Sequence, residues 1–335
     1  MDIERLRQRA GIIQKVRTFF IRRGYLETDT PALSPDLIPE TCLEVFQTTL
    51  LDGHTGEGSP LYLVPSPEIY LKRLIAHHRV SLFQVSKCYR NYESVGRFHN
   101  PEFTMLEYYT MGATYRESAQ VTEDLFRFLG TPDPGRESPA SLPPDLCPPF
   151  LHLTVDNAFL GFAGFRLSEA PESADLAAQA RRLGITESAG HPFDAWPWDD
   201  LYELILVHAV ESALPRDRPI LLTDYPAAVP CLAKDVTPVD GGKPRWKERW
   251  ELYCRGVELA NCYSEETDPI KVRNYFRREG EAKQASARVP HRIDGGYWRI
   301  FQDFPACSGV ALGVDRLVAL LCGAESIAPV IPHPL

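Results

Sequence analysis

The stretch "RFHNPEFTMLEYY", residues 97–109, decides how the rest of the chain is read. Its density of aromatic and apolar residues predicts a strand, yet neither face is cleanly apolar. Side chains alternate along a strand, so Phe103, Met105, Glu107 and Tyr109 share one face. At about 3.3 Å per residue, Phe103 and Glu107 stand roughly 13 Å apart. That spacing suits a flat group stacked at one end and a cation held at the other. A half-buried edge strand with scattered polar residues would read the same way, and the pattern leaves both open.

Working outward, "SLFQVSKCYRNYE" (81–93) predicts a second strand, joined to the first by a polar loop. Upstream, Ile3, Leu6, Ala10, Ile13, Val16 and Phe20 recur at helical spacing over residues 3–23, and Gly24 ends that helix. "GYLETDTPAL" (24–33) turns extended with Pro31 as a breaker, and "LYLV" (61–64) is a short strand. "SPEIYLKRLIAHH" (66–78) predicts a helix with Ser66 as its cap and Pro67 in its first turn. Residues 131–149 hold seven prolines and little periodicity, which predicts an irregular linker. Residues 150–214 are expected to form a mainly helical insert, after which "RPILLTDYP" (218–226) returns to strand. "RWELYCRGVELANCY" (249–263) predicts a hairpin around Arg255-Gly256, residues 269–286 a helix, and "SGVALGVDRLVALLCGAESI" (308–327) a glycine-spaced strand or turn entering an apolar helix. Strands on both sides of the helical stretch suggest one interrupted sheet rather than independent domains.

Composition sets bounds. At 335 residues, 44% hydrophobic and 24% charged, the chain is ordinary globular protein with room for a sizeable core. No apolar run is long enough to span a membrane, and the charged start lacks a signal-peptide core, so a cytoplasmic protein with no membrane contact is expected. None of the eight cysteines forms a C-x-x-C pair, which argues against a zinc site or disulfide framework and for buried reduced thiols. A net charge of −9 gives no support to nucleic-acid binding, and the basic stretches 243–249 and 273–278 read as solvated faces.

Two further constellations carry chemistry. A two-residue turn at Arg255-Gly256 would set Glu251 opposite Ala260, on a face that also carries Glu258 and Cys262. The two carboxylates then become diagonal neighbours about 7–8 Å apart. Oxygen ligands so placed suit Mg²⁺, although two solvated acids on an exposed face fit equally. In "GVALGVDRL" (309–317), Gly309 and Gly313 let another group approach the backbone, and Arg316 just past the turn could meet a phosphate or stack on a ring. Core packing is the ordinary alternative.

Taken together and in order, "RGYLETDTPAL" (23–33), "YRNYESVGRFHNPEF" (89–103) and "GVALGVDRL" resemble the three motifs of class II aminoacyl-tRNA synthetases. "SPEIYLKRL", "HNPEFTMLEYY" and "VELANCYSEETD" (257–268) resemble the lysine branch. The first motif begins near residue 23, which leaves no room ahead of it for an anticodon-binding domain. The chain therefore resembles the ligase paralogues that attach β-lysine to elongation factor P. "ELAN" and "CSGVALGVDRLV" fit that subgroup, whereas "TDYPAAVPCLAK" (223–234) is more synthetase-like.

The resemblance implies a single α+β catalytic domain over 1–335, an antiparallel sheet flanked by helices, forming a homodimer through the first motif. It implies ATP and Mg²⁺ as cofactors, lysine or β-lysine as substrate, and a lysine side chain of elongation factor P as acceptor, with tRNA unlikely. Arg90 and Arg316 would be the catalytic pair. Arg90 would hold the α-phosphate and the substrate carboxylate; Phe103 would stack on adenine, with Arg316 opposite and reaching the γ-phosphate. Tyr92, Glu93, His99, Asn100, Glu258, Leu259 and Gly313 would complete the ATP site, and Glu251 with Glu258 would hold Mg²⁺. Ser66, Pro67 and Glu68 would lie at the substrate's backbone amine. Glu107, Tyr109 and Glu265 would fix its distal ammonium, with Asn261 nearby and Ala311 where lysyl-tRNA synthetases usually have glycine. The carboxylates imply a substrate with two cationic groups. The second motif carries one extra residue, so either Tyr92 or Glu93 fills its glutamate position, and Cys262 adds bulk beside the pocket. A truncated lysyl-tRNA synthetase-like enzyme charging tRNA or a small acceptor, and an inactive regulatory paralogue, are the alternatives.

Overall fold

The computed structural model describes residues 2–92, 95–132, 141–188, 190–239 and 241–334. The chain runs α1 (Ile3–Arg22), β1 (Leu26–Glu27), β2 (Leu33–Ser34), β3 (Gln47–Leu51), β4 (Gly58–Leu63), α2 (Glu68–His78), β5 (Leu82–Tyr89), β6 (Glu102–Met111) and α3 (Tyr115–Leu129). It continues with β7 (Leu151–Thr154), α4 (Val155–Ala158), α5 (Ser173–Arg182), α6 (Trp198–Ile205), β8 (Ile220–Pro226), β9 (Trp246–Cys254) and β10 (Val257–Ser264). It ends with α7 (Pro269–Ser286), β11 (Cys307–Gly313) and α8 (Val314–Leu321). The architecture is α+β and divides into two compact units: Met1–Pro143 with Ser264–Leu335, and Pro144–Tyr263.

In the first unit the strand order is β1-β5-β6-β11, beside a small β2-β4-β3 sheet. β5 and β11 flank β6 antiparallel, whereas β1 runs parallel to β5. The two faces of β6 differ in what covers them. Leu106 and Tyr108 are fully buried, and the Tyr108 ring lies 4.7 Å from Phe20 of α1, which also stacks on Phe83 of β5. Phe103, Met105, Glu107 and Tyr109 occupy the other face, as alternation predicts. The mixed faces in the sequence therefore have a cause: one face is helix-packed core, and the other is a buried polar surface.

In the second unit the order is β10-β9-β8-β7, with β7 parallel to β8 and the remaining pairs antiparallel. Its helices close a core around Phe159, Leu176, Leu201, Tyr202 and Leu222. The hairpin between β9 and β10 turns at Arg255 and Gly256, with φ of 54° and 76°. Two successive left-handed residues are what a two-residue turn requires to match strand twist.

Four expectations need correction. Both units contain a parallel pair, so the sheet is mixed rather than purely antiparallel. The region 150–214 opens with β7 before its helices, because Leu151–Thr154 pairs with β8. Pro67, not Ser66, is the N-cap position of α2, and no side chain caps that end. The β9–β10 register slips between Glu258 and Ala260, so Glu251 pairs with Asn261 and Leu252 with Ala260. Of the predicted linker, residues 133–140 lie outside the described residues; Pro144–Leu146 form a short 3₁₀ turn.

Candidate active site

The register of β6 on β11 sets Tyr109 opposite Gly309 and Glu107 opposite Ala311. A Cβ at Gly309 would stand 2.5 Å from both Glu265 Oε1 and the Tyr109 ring, so only glycine lets these two groups lie against the strand. Glu265 is fixed from its own side, its N–H donating to the Cys307 carbonyl at 3.0 Å. The Tyr109 hydroxyl donates to Glu107 Oε1 at 2.7 Å. Glu107 Oε2 is buried without a hydrogen-bond partner among the described residues. Burial, then the Glu68 charge, hold the Glu107 carboxyl well above the usual range. Such an oxygen is costly unless a cation or a proton meets it.

Lys72 completes this cluster. Its side chain is fully buried, with Nζ 2.5 Å from Glu68 Oε1 and 2.7 Å from Glu265 Oε2. Burial works against the ammonium, but Glu265 and Glu68 outweigh it and hold it charged. Glu265 is itself pushed up to about 7, first by burial, with Lys72 opposing the rise. Glu68 and Lys72 are four apart on α2, so one helical turn stacks them.

At the start of β6 the groups differ. The Arg90 guanidinium lies 5.3 Å from the centre of the Phe103 ring, while the Arg90 N–H donates to the Pro101 carbonyl. Arg316 Nε donates to the Phe98 carbonyl at 3.1 Å, and its Nη2 sits 2.9 Å from His99 Nε2. The Asn100 amide donates to the Glu102 carbonyl at 2.6 Å. Beneath them is a buried lock: Asp315 Oδ2 accepts the Thr104 N–H at 2.7 Å, and its Oδ1 is 2.7 Å from Arg9 Nη1. Arg9 Nη2 donates to Thr104 Oγ1 at 2.8 Å. The helix carrying Arg316 is thus tied to the strand carrying Phe103, with α1 as the third member.

In the second unit, Glu251, Glu258 and Asn261 share one face of the hairpin, because Glu258 pairs with Tyr253 and Asn261 with Glu251. The bulge keeps the expected diagonal placement of the two carboxylates but moves Ala260 and Cys262 to the opposite face, where Cys262 meets Trp250. Glu251 Oε2 accepts the hydroxyls of Tyr225 at 2.6 Å and Tyr253 at 2.8 Å; its Oε1 accepts Arg249 Nη2. The Arg249 guanidinium lies between the Tyr225 and Tyr263 rings, 4.4 and 5.4 Å from their centres. Burial pushes both the Tyr225 and Tyr253 hydroxyls well up, and Glu251 adds to it. Two carboxylates on one face, Glu258 exposed and Glu251 held in place by three donors, suit a hard cation that keeps part of its water. Glu251 retains lone-pair capacity on Oε1 for that purpose. The buried Asn261 Oδ1 has no partner among the described residues, leaving an acceptor available.

Most predicted residues therefore fall into three clusters. Ser66, Pro67, Glu68, Glu107, Tyr109, Glu265 and Ala311 belong to the elements around the acidic pocket. Arg90, His99, Asn100, Phe103, Gly313 and Arg316 border the start of β6 and of α8. Glu251, Glu258, Leu259 and Asn261 belong to the hairpin, with Leu259 buried at the bulge. Tyr92 is different: it is 68% exposed, its φ is 60°, and its ring lies 3.8 Å from the Arg288 guanidinium. It accepts a hydrogen bond from Arg288 at 2.7 Å, and Glu93 lies outside the described residues. A Cβ at Gly313 would meet the Arg316 side chain first, at an ordinary 3.5 Å. The sequence reading missed Lys72, Arg249, Asp315 and Arg9. A Glu68–Lys72 spacing of four was the one available signal for the first; the others are recognisable only once the chain is folded.

The chain with this strand pairing belongs to the class II tRNA synthetases (D, K and N), whose family model matches residues 3–335. More particularly, it is 34% identical over 337 residues to the elongation factor P–(R)-β-lysine ligase of Vibrio vulnificus, covering 99% of this chain and 96% of that protein. The same-named ligase of Proteus mirabilis is 33% identical, covering 100% and 96%. That of Pectobacterium atrosepticum is 34% identical, covering 98% and 94%. No helix among the described residues is long and apolar enough to cross a membrane.

Proposed function

We propose that this protein activates lysine or β-lysine as its adenylate and transfers it to a lysine side chain of elongation factor P. The observation that carries the reading is the buried Glu107 Oε2, without a hydrogen-bond partner among the described residues and beside the Glu68–Lys72–Glu265 cluster. An acid so placed calls for a cationic substrate group. The names of the relatives support elongation factor P as the acceptor.

In the first step a substrate carboxylate oxygen attacks the α-phosphorus of ATP in line, and pyrophosphate leaves. Arg90 is assigned to the carboxylate and α-phosphate, Phe103 to adenine and Arg316 to the polyphosphate. Their contribution is positioning and neutralisation of charge. Glu251 and Glu258 would hold Mg²⁺, which when bound neutralises phosphate charge. In the second step the acceptor amine attacks the acyl carbon, AMP leaves, and the amine loses a proton. A homodimer through the first motif and a cytoplasmic location complete the reading; exposed Ile3, Ile21 and Leu26 on α1 and β1 support the former.

The alternative acceptor is tRNA, favoured by the synthetase-like segment 223–234. Incubation with labelled lysine or β-lysine, ATP and either acceptor separates the two. Label is expected in elongation factor P and not in tRNA; label in tRNA alone would overturn the choice of acceptor.

A further inference from the structure

Lys72 is set apart from the rest of the chemistry. Ammonium groups are rarely fully buried, and one held against two carboxylates inside a substrate pocket takes up binding capacity that a ligand would otherwise use. We infer that Lys72 is a specificity-determining residue: it is the pocket's own counter-cation, and it sets at two the number of ammonium groups a substrate must bring. This deepens the function proposed above and rests on it for the assignment of the pocket.

The argument is one of charge and position. Glu68, Glu107 and Glu265 supply three carboxyl groups and Lys72 one ammonium, leaving two carboxyl groups for a ligand; Glu40, a further acid nearby, also faces the cations Arg90 and Lys283. Lys72 contacts Glu68 and Glu265 and leaves Glu107 Oε2 open. A diammonium amino acid matches that remainder, while its own carboxylate is matched by Arg90. A monoammonium amino acid leaves one buried carboxylate without a cation, which is costly. Lys72 also stands between Glu68 and Glu265, 2.5 and 2.7 Å from their oxygens, and so holds both in place for the ligand. The other groups facing it are Tyr297 from the 3₁₀ turn Tyr297–Asp303, Glu107 from β6, Cys307 from β11, and Glu40. None of these is a cation, so nothing in the cluster substitutes for Lys72.

Lys72 opposes the upward shift of the Glu107 and Glu265 carboxyls, so removing it moves their titration to higher pH. Only ionised acids pair with ammonium groups, so affinity rises with pH, and in a neutral variant that rise is displaced upward. The experiment is calorimetric titration of L-lysine, (R)-β-lysine and norleucine into wild type, Lys72→Gln, Lys72→Met and Lys72→Arg, from about pH 6 to about pH 8.5. Wild type should bind a diamino acid and not norleucine. The neutral variants should lose about tenfold in affinity at neutral pH, with the rise displaced by about one unit. Lys72→Arg should keep the wild-type profile. A loss by the same factor at every pH, or norleucine binding as tightly as lysine, would overturn the inference. So would folding of Lys72→Arg but of neither neutral variant, since Lys72 would then be a structural cation. Wild type that binds a diamino acid but fails in ATP–pyrophosphate exchange removes the proposed reaction and leaves the Lys72 inference standing; no diamino-acid binding at all removes both.

Discussion

Glu107 is 3% exposed, with one oxygen taken by Tyr109 and the other unpartnered among the described residues. Glu107→Gln keeps the shape and removes the charge. It should raise the KM for lysine about 100-fold, roughly 3 kcal/mol, while the KM for ATP moves little; steady-state exchange kinetics check it. Gly309→Ala places a methyl 2.5 Å from Glu265 and Tyr109, so it should abolish amino-acid binding while nucleotide binding survives, read by separate titrations of lysine and ATP. Glu265 predicts a pH dependence of stability. Its folded-state value is raised from 4.5 to about 7, so the protonated acid favours the fold. That contribution is whole below about 4.5 and is lost as pH rises through about 7, amounting to one to a few kcal/mol. Thermal unfolding without substrate should show the melting temperature falling across that window, and added lysine should lessen the fall; a flat profile would contradict it. At this scale Glu68, Glu107, Glu265, Arg90 and Arg316 could be singled out from the sequence because the motifs fix their spacing, whereas Arg249, Asp315 and Arg9 could not. The engagement of Tyr92 with Arg288 was not, since it joins residues 196 apart.

The elements show how a short lock ties the helix carrying Arg316 to the strand carrying Phe103. Asp315 at the start of α8, Thr104 of β6 and Arg9 of α1 form one buried network. Asp315→Asn leaves Arg9 as an uncompensated buried charge and should cost about 3–5 kcal/mol of stability, measurable as a lower urea midpoint. An unchanged midpoint would show that the network is dispensable. Periodicity placed α1, α7, β5 and β6 because each has an amphipathic or alternating face. β7 was not legible because four residues are too few to separate from the helices that follow. The bulge at Leu259 escaped for a related reason: hairpin rules fix the turn at Arg255-Gly256, but a one-residue slip along the strands depends on packing.

At the scale of the whole molecule, the three ordered motifs spanned the chain and identified the family, whereas the counter-cation inside the pocket emerged only from folding. Class II synthetase architecture supplies the framework, and on the proposed reading the acidic cluster on β6, α2 and β11 selects the amino acid. The central claim is that the chain forms an adenylate of a diammonium amino acid. ATP–pyrophosphate exchange with wild-type protein, run in parallel with L-lysine, (R)-β-lysine and norleucine, tests it most directly. The account predicts exchange with lysine or β-lysine and none with norleucine; absence of exchange with both diamino acids, or equal exchange with norleucine, would contradict it.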